Sequence, residues 1–116
     1  MKRGPEYSAQ CAIVSFLAMA LDPRQAVCLA VPGGDGRMTL APGYVAGTPD
    51  LLVIAKGRPP LFVEVKSPRG RLSTEQSNLA RTLEDLDAGW ALCRTPSDAE
   101  AACLDHGIKL RARVRA

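Results

Sequence analysis

Residues 51–66 read LLVIAKGRPPLFVEVK, and they are the most informative part of the sequence. Two apolar runs, residues 51–55 and 61–66, flank a turn that holds one glycine and two prolines. Short apolar runs bounded by Gly and Pro are typical of buried strands joined as a hairpin. A turn centred on Gly57 or Arg58 predicts that Asp50 lies opposite residues 64 to 66 in the antiparallel pair.

The segment before the hairpin predicts a helix and a strand. Pro5 and Glu6 are favourable first residues of a helix, which should end near Leu21. Glu6 and Gln10 continue the apolar stripe of this helix, which is unusual for polar residues. The same residues interrupt what would otherwise resemble a secretory signal, so we expect a helix of the folded domain. Residues 26–31 predict a buried strand.

After the hairpin, the pattern alternates between helix and strand. Ser73 and Gln76 have the spacing of a capping box and predict a helix that ends near Gly89. Residues 90–94 predict a strand, and a second capping-box spacing at Ser97 predicts another helix. This order of elements indicates a mixed α/β domain.

Length and composition restrict the class of protein. The 116 residues are enough for one domain, and we expect a single domain over 1–116. The hydrophobic fraction is 47% and the charged fraction 23%, which excludes disorder, collagen and coiled coil. A net charge of +3 permits an anionic partner without requiring one.

The cysteines indicate a reducing compartment. Four cysteines lie in apolar surroundings without a C-x-x-C pair, and His106 is the only histidine. This pattern excludes a clustered zinc site and favours buried free thiols over disulfides. We therefore expect a cytoplasmic protein.

The chemistry is expected where the hairpin strands end. Alternation along the strand places Glu64 and Lys66 on one face, with Asp50 beside them. Two such carboxylates repel each other, and Lys66 or a divalent cation such as Mg²⁺ or Mn²⁺ would compensate their charge. The alternative is structural: Asp50 could cap a turn, while Glu64 and Lys66 could form an ion pair on an exposed face.

The motif resembles a known nuclease signature. Pro49-Asp50 followed by Glu64-Val65-Lys66 is similar to the PD-(D/E)XK pattern. More narrowly, residues 47–51 (GTPDL), 62–66 (FVEVK) and 70–76 (GRLSTEQ) resemble the virus-type replication-repair nuclease (VRR-NUC) domain of the small stand-alone type. The resemblance implies a restriction-endonuclease-like core, αβββαβ, with a mixed central sheet flanked by helices.

The resemblance also implies site residues. Asp50, Glu64 and the backbone carbonyl of Val65 would bind Mg²⁺ or Mn²⁺, and Lys66 would be the catalytic lysine. Glu6 would complete the catalytic and metal site, and Gln76 would support the site or hold substrate. Glu6 could instead only favour the helix dipole, and Gln76 could only complete the capping box.

The function implied by the resemblance is a metal-dependent endodeoxyribonuclease. Small stand-alone members act as homodimers on branched DNA such as four-way (Holliday) junctions. We expect DNA contacts from Arg37, Arg69 and Arg71, and a basic last strand over 108–114. The alternatives are a catalytically inactive DNA-binding or assembly protein with the same fold, and a nucleotide phosphohydrolase.

Overall fold

The computed structural model describes residues 4–31 and 42–115, and within them it contains three helices and four strands. In chain order they are α1 (Pro5–Ala20), β1 (Ala26–Ala30), β2 (Leu51–Ala55), β3 (Leu61–Val65), α2 (Thr74–Asp85), β4 (Gly89–Cys93) and α3 (Pro96–Asp105). The predicted α/β class and the order of these elements are confirmed.

The four strands form one mixed sheet in the order β1-β2-β3-β4. The β1/β2 and β2/β3 pairs are antiparallel, whereas β3 and β4 are parallel. In the hairpin, Leu51 lies opposite Val63 and Val53 lies opposite Leu61. Continued by one residue, this register sets Asp50 opposite Glu64, within the range that the sequence predicted.

Helices cover both faces of the sheet. The odd-numbered residues of β2 and β3 are fully or almost fully buried, and they join α1 and α3 in one apolar core. The core centres on Ile13, Leu17, Leu51, Val53, Leu61, Val63, Val65, Cys93 and Cys103. The helix α2 packs beside β4 and approaches the opposite face, which carries the even-numbered residues.

The two later helices begin differently from one another. The capping box of α2 is confirmed: the Ser73 hydroxyl accepts from the Gln76 N–H at 3.1 Å, and Gln76 Oε1 accepts from the Ser73 N–H at 2.9 Å. The prediction of a cap at Ser97 is wrong. The helix α3 starts at Pro96, whose ring fixes a helical φ at the first position, so Thr95 becomes the cap.

The predicted last strand is also wrong, because the chain after α3 bonds to helices instead of a strand. The Arg111 N–H donates to the Ala20 carbonyl at 2.8 Å, and Arg113 pairs with Glu100 at 2.9 Å. The Val114 N–H also donates to Glu100, and these contacts lower the pKa of that carboxyl. Two of the basic residues near the C-terminus therefore bind this protein's own groups.

The cysteines follow the prediction in part. Cys93 and Cys103 are buried, and burial raises the pKa of the first thiol to about 12 and of the second to about 11. Cys11 is exposed, contrary to prediction, because it lies on the outer side of α1. Among the helices of the described residues, none has the length and apolar character that crossing a membrane requires.

Candidate active site

The open end of the β2–β3 hairpin holds Asp50 in place through its backbone and its side chain. The Asp50 carbonyl accepts a hydrogen bond from the Val31 N–H at 2.8 Å, which ties it to the end of β1. Its Oδ2 accepts from the Val65 N–H at 2.8 Å, which ties it to the end of β3. The second carboxylate oxygen of Asp50 is free of any such backbone bond in the described part of the chain.

Glu64 is the buried acid of the site. Its exposed fraction is 2%, and it is the only charged residue in the described chain with so little exposure. Gln76 Nε2 donates to its Oε2 at 3.2 Å, whereas Oε1 is buried and has no hydrogen-bond partner in the described residues. A buried polar atom without a partner costs stability, so this oxygen needs a proton or a cation.

The surroundings of Glu64 shift its ionisation strongly. Burial raises the pKa of Glu64 to about 9, and the neighbouring carboxyl of Asp50 adds to this shift. Lys66 opposes the shift, and Glu6 adds to it. With a pKa of about 9, Glu64 keeps its proton at neutral pH, beside the Asp50 carboxyl. A carboxyl with so perturbed a pKa in a cluster of charges is typical of a functional site.

Lys66 and Glu6 form the outer part of the site. Lys66 Nζ lies 3.8 Å from Glu6 Oε1, and the lysine side chain is only 13% exposed. Glu6 sits in the first turn of α1, where the helix dipole favours a negative charge, and its side chain is half exposed. The structure thus brings Glu6 next to Lys66.

The backbone of Val65 contributes a carbonyl on the same side as Asp50. The neighbouring Lys66 N–H donates to the Cys93 carbonyl on β4, at 3.1 Å. Backbone groups alternate between the two edges of a strand, so both the N–H and the carbonyl of Val65 face away from β4. The N–H reaches Asp50, and the carbonyl is directed to the same edge.

These oxygens fit a hard divalent cation. Two carboxylates and a carbonyl are suitable oxygen ligands, and Mg²⁺ usually keeps several waters besides one or two carboxylates. The unpartnered Oε1 of Glu64 is the observation that favours a cation here. Within residues 4–31 and 42–115, no group of three or more His, Cys, Asp or Glu side chains is spaced to hold a metal ion. Glu6 lies beside Lys66, and its role as a further metal ligand stays a prediction.

Two residues to which the sequence analysis gave no role in the site support it. Gly47 has a φ of +89°, and a Cβ there would lie 2.4 Å from the Glu75 carbonyl oxygen. The loop that leads to Asp50 therefore packs directly on the first turn of α2. Arg94 follows β4 and bonds to the chain after Lys66. The sequence analysis made Arg94 the last residue of the strand predicted over 90–94, whereas the structure places it directly after β4.

The predicted DNA contacts fall in different places. Arg69 and Arg71 line an open groove of about 660 Å³ with Arg94, next to the chain that leaves Lys66. Arg37 lies outside the described residues. Lys56 and Arg58 sit in the hairpin turn, at the opposite end of β2 and β3 from Lys66. The basic residues of the hairpin therefore do not form one cluster.

Comparison with known proteins agrees with this arrangement. The model of the VRR-NUC domain family matches residues 6–96, which is most of the chain. The chain belongs to the VRR-NUC domain family, and this membership implies a nuclease. The matched range contains Glu6, Asp50, Glu64, Lys66 and Gln76. No match was found among curated proteins or among solved structures.

Proposed function

We propose that this chain is a metal-dependent endodeoxyribonuclease of the PD-(D/E)XK type, acting as a single nuclease domain. The observation that carries the proposal is Glu64, a buried acid with an unpartnered oxygen beside Asp50 and Lys66. A protein core rarely keeps an acid in this state, because burial of an uncompensated charge is costly. The cost in stability is expected where the acid belongs to an active site. Membership of the nuclease family then indicates the class of reaction.

Asp50, Glu64 and the Val65 carbonyl are the groups that would hold Mg²⁺ or Mn²⁺. When bound, such an ion polarises a phosphoryl oxygen and lowers the pKa of bound water. The Val65 N–H fixes Asp50, and Gln76 orients Glu64, so both carboxyls are held before any ligand arrives. Preorganised ligands of this kind do not have to be reordered during the reaction.

Lys66 is the proposed catalytic lysine. Its amine lies at the edge of the carboxyl pair, where it would stabilise charge that develops on the phosphate or hold the attacking water. Glu6 lies 3.8 Å away and restrains the lysine from the side of α1. Glu6 is thus proposed to act on Lys66, and Gln76 on Glu64.

The proposed substrate is DNA, with branched DNA such as four-way junctions as the favoured form. The open groove beside Arg69 and Arg71 suits an extended phosphate backbone better than a small nucleotide, which would need an enclosed pocket. The nucleotide phosphohydrolase alternative is therefore disfavoured.

We also propose a homodimer, since two copies would present two sites to two strands of a junction. Val27, Leu29 and Ile54 are each nearly half exposed on the sheet face that carries Glu64, and they supply apolar surface for such contacts. Sedimentation of the purified protein measures its mass in solution, and a monomer at micromolar concentration would remove this part of the proposal.

The test of function is a cleavage assay with matched lysine variants. Plasmid, linear duplex and four-way junction DNA are incubated with the protein, with and without Mg²⁺ or Mn²⁺. Lys66→Met should lower the rate by about 10²–10⁴-fold, the usual contribution of a positioned proton-transfer group. Lys56→Met changes the same residue type at the far end of the hairpin and should leave the rate unchanged.

Three outcomes would count against the proposal. Cleavage that needs no metal would contradict the role given to the carboxyls. Equal losses in the two lysine variants would contradict the placement of the site. DNA binding without cleavage of any substrate would favour the alternative of an inactive binding protein.

A further inference from the structure

Arg94 ties β4 to the chain that leaves the active site. It directly follows β4, and its backbone N–H donates to Asp98 Oδ2 at 2.8 Å, which fixes it at the start of α3. Its half-buried guanidinium reaches across to the segment after Lys66. There Nη1 donates to the carbonyls of Ser67 and Gly70, the second at 2.8 Å. One nitrogen with two N–H groups thus serves two carbonyls.

These carbonyls belong to a tight turn, residues 67–70. The Gly70 N–H donates to the Ser67 carbonyl at 3.0 Å and closes the turn. Arg94 therefore holds both ends of the 67–70 turn from outside. Hydrogen bonds from a charged donor are stronger than neutral ones, so the guanidinium is a firm anchor for this short segment.

The 67–70 turn forms one wall around the Lys66 side chain. A Cβ placed on Gly70 would lie 3.3 Å from Lys66 Cδ and 3.4 Å from its Cβ, so the lysine stem passes close to the Gly70 backbone. On the other side, the amine meets Glu6. The stem of Lys66 is thus confined between the 67–70 turn and α1, in accord with its exposure of 13%.

Within the described residues, the guanidinium of Arg94 bonds to backbone carbonyls and not to a carboxylate. Its guanidinium forms no salt bridge there, and its donors go to backbone carbonyls of the 67–70 turn. An arginine used only to bind DNA would keep its donors free for phosphate, as the exposed Arg69 and Arg71 do with respect to residues 4–31 and 42–115. In Arg94, at least two of the five N–H donors already form hydrogen bonds within the protein.

We propose that Arg94 is a positioning residue, which fixes the amine of Lys66 at the carboxyl pair by anchoring the 67–70 turn. The effect of Arg94 on catalysis rests on the proposed nuclease function. Its effect on the position of the Lys66 side chain does not, and that position can be measured without DNA cleavage.

The first experiment measures the accessibility of Lys66 directly. Metal-free protein is acetylated briefly with a water-soluble reagent, and peptide mass spectrometry gives the extent of reaction at each lysine. Arg94→Met should raise the reactivity of Lys66 several-fold relative to Lys56 and Lys109, which are exposed and serve as internal references. Arg81→Met removes an exposed arginine from α2 and should leave that ratio at the wild-type value.

The second experiment measures cleavage kinetics. Displacement of a catalytic group by about 1 Å can cost on the order of 10²-fold in rate, so Arg94→Met should lower kcat by about 10–100-fold with little change in KM. Arg94→Lys should recover part of kcat, because an ammonium can still donate to one carbonyl. If Arg94→Met does not fold, Arg94→Lys is used in its place in both experiments.

The outcomes separate this inference from the proposed function. An unchanged ratio of Lys66 to Lys56 acetylation in folded Arg94→Met overturns the inference, whether or not the protein cleaves DNA. A rise in KM at unchanged kcat also overturns it and would make Arg94 a direct DNA contact. Absence of cleavage by the wild-type protein, with the acetylation shift intact, would refute the nuclease proposal and retain the anchoring role.

Discussion

The two ends of the β2–β3 hairpin carry charged residues in opposite circumstances. At the turn end, Lys56 and Arg58 are exposed, and within the described residues neither has a carboxylate at salt-bridge distance. At the open end, Glu64 is buried, its pKa is raised to about 9 by burial first, and one of its oxygens has no partner. Both ends carry charged residues, yet only the open end holds one that is removed from water.

This difference indicates where a catalytic site is to be expected in a small domain. Exposed charges are solvated and cost little, so their number says nothing about function. A buried acid must be compensated, and the groups that contact the charged side chains at the open end come from three elements: β3, α2 and α1.

The largest expected effect compares glycines from the two ends. Gly47 and Gly57 both have positive φ, of 89° and 74°, so alanine at either position costs about 1–2 kcal/mol of backbone strain. A Cβ at Gly57 meets nothing within 4 Å, whereas one at Gly47 would lie 2.4 Å from the Glu75 carbonyl oxygen. Forcing the loop away from α2 adds about 1–3 kcal/mol, the usual range for overpacking.

Urea unfolding of the two alanine variants measures this difference. Gly47→Ala should lose clearly more stability than Gly57→Ala, and it should also lose cleavage, since it displaces the loop that carries Asp50. Equal losses of stability in both variants would show that the loop yields easily and that its contact with α2 is not required.

The next effect concerns pH and the buried acid. An ordinary glutamate ionises near 4.5 in the unfolded chain, whereas folded Glu64 keeps its proton until about pH 9. Between these values the folded protein binds more protons than the unfolded one, so stability falls as pH rises. In EDTA, the Tm should therefore decline from pH 5 to 9, and Glu64→Gln should flatten that decline.

An exposed glutamate on α2 provides the control for this measurement. Glu84→Gln should leave the slope of Tm against pH as it is in the wild type. Parallel Tm curves for wild type and Glu64→Gln would mean that Glu64 is ionised in the folded metal-free protein, and the contrast between the two hairpin ends would disappear.

Much of this arrangement was predictable from local patterns, and the rest depends on contacts between distant segments. Gly57 and the prolines fix the hairpin, and strand alternation then sets Asp50 opposite Glu64. The burial of Glu64 could not be read from the strand, because α2 and α1 arrive from 12 residues later and from the N-terminus. Arg94 was missed for the same reason, since its partners are 24 and 27 residues away.

The two wrong predictions near the C-terminus, a last strand and a helix cap at Ser97, have a different origin. Alternating basic and apolar residues after Ile108 satisfy the pattern of a strand, but the pattern does not show which backbone groups the segment will bond to. The Arg111 backbone instead bonds to the end of α1, and Val114 bonds to Glu100. At α3, the spacing at Ser97 competed with Pro96, and the rigid ring determined the first helical residue.

The smallest expected effect separates the two roles of Gln76. Its Oε1 completes the capping box with the Ser73 N–H, while its Nε2 holds Glu64. Ser73→Ala removes the hydroxyl cap and leaves both Gln76 contacts, so it should cost about 1 kcal/mol of stability and little cleavage. Gln76→Ala should cost a similar amount of stability but should lower kcat further, because Glu64 loses its only side-chain donor in the described residues.

Urea unfolding measures the stability of both variants, and single-turnover cleavage measures their catalytic rates. If both lower kcat equally, Gln76 acts only through the helix, and the open end of the hairpin is less dependent on α2 than its contacts indicate.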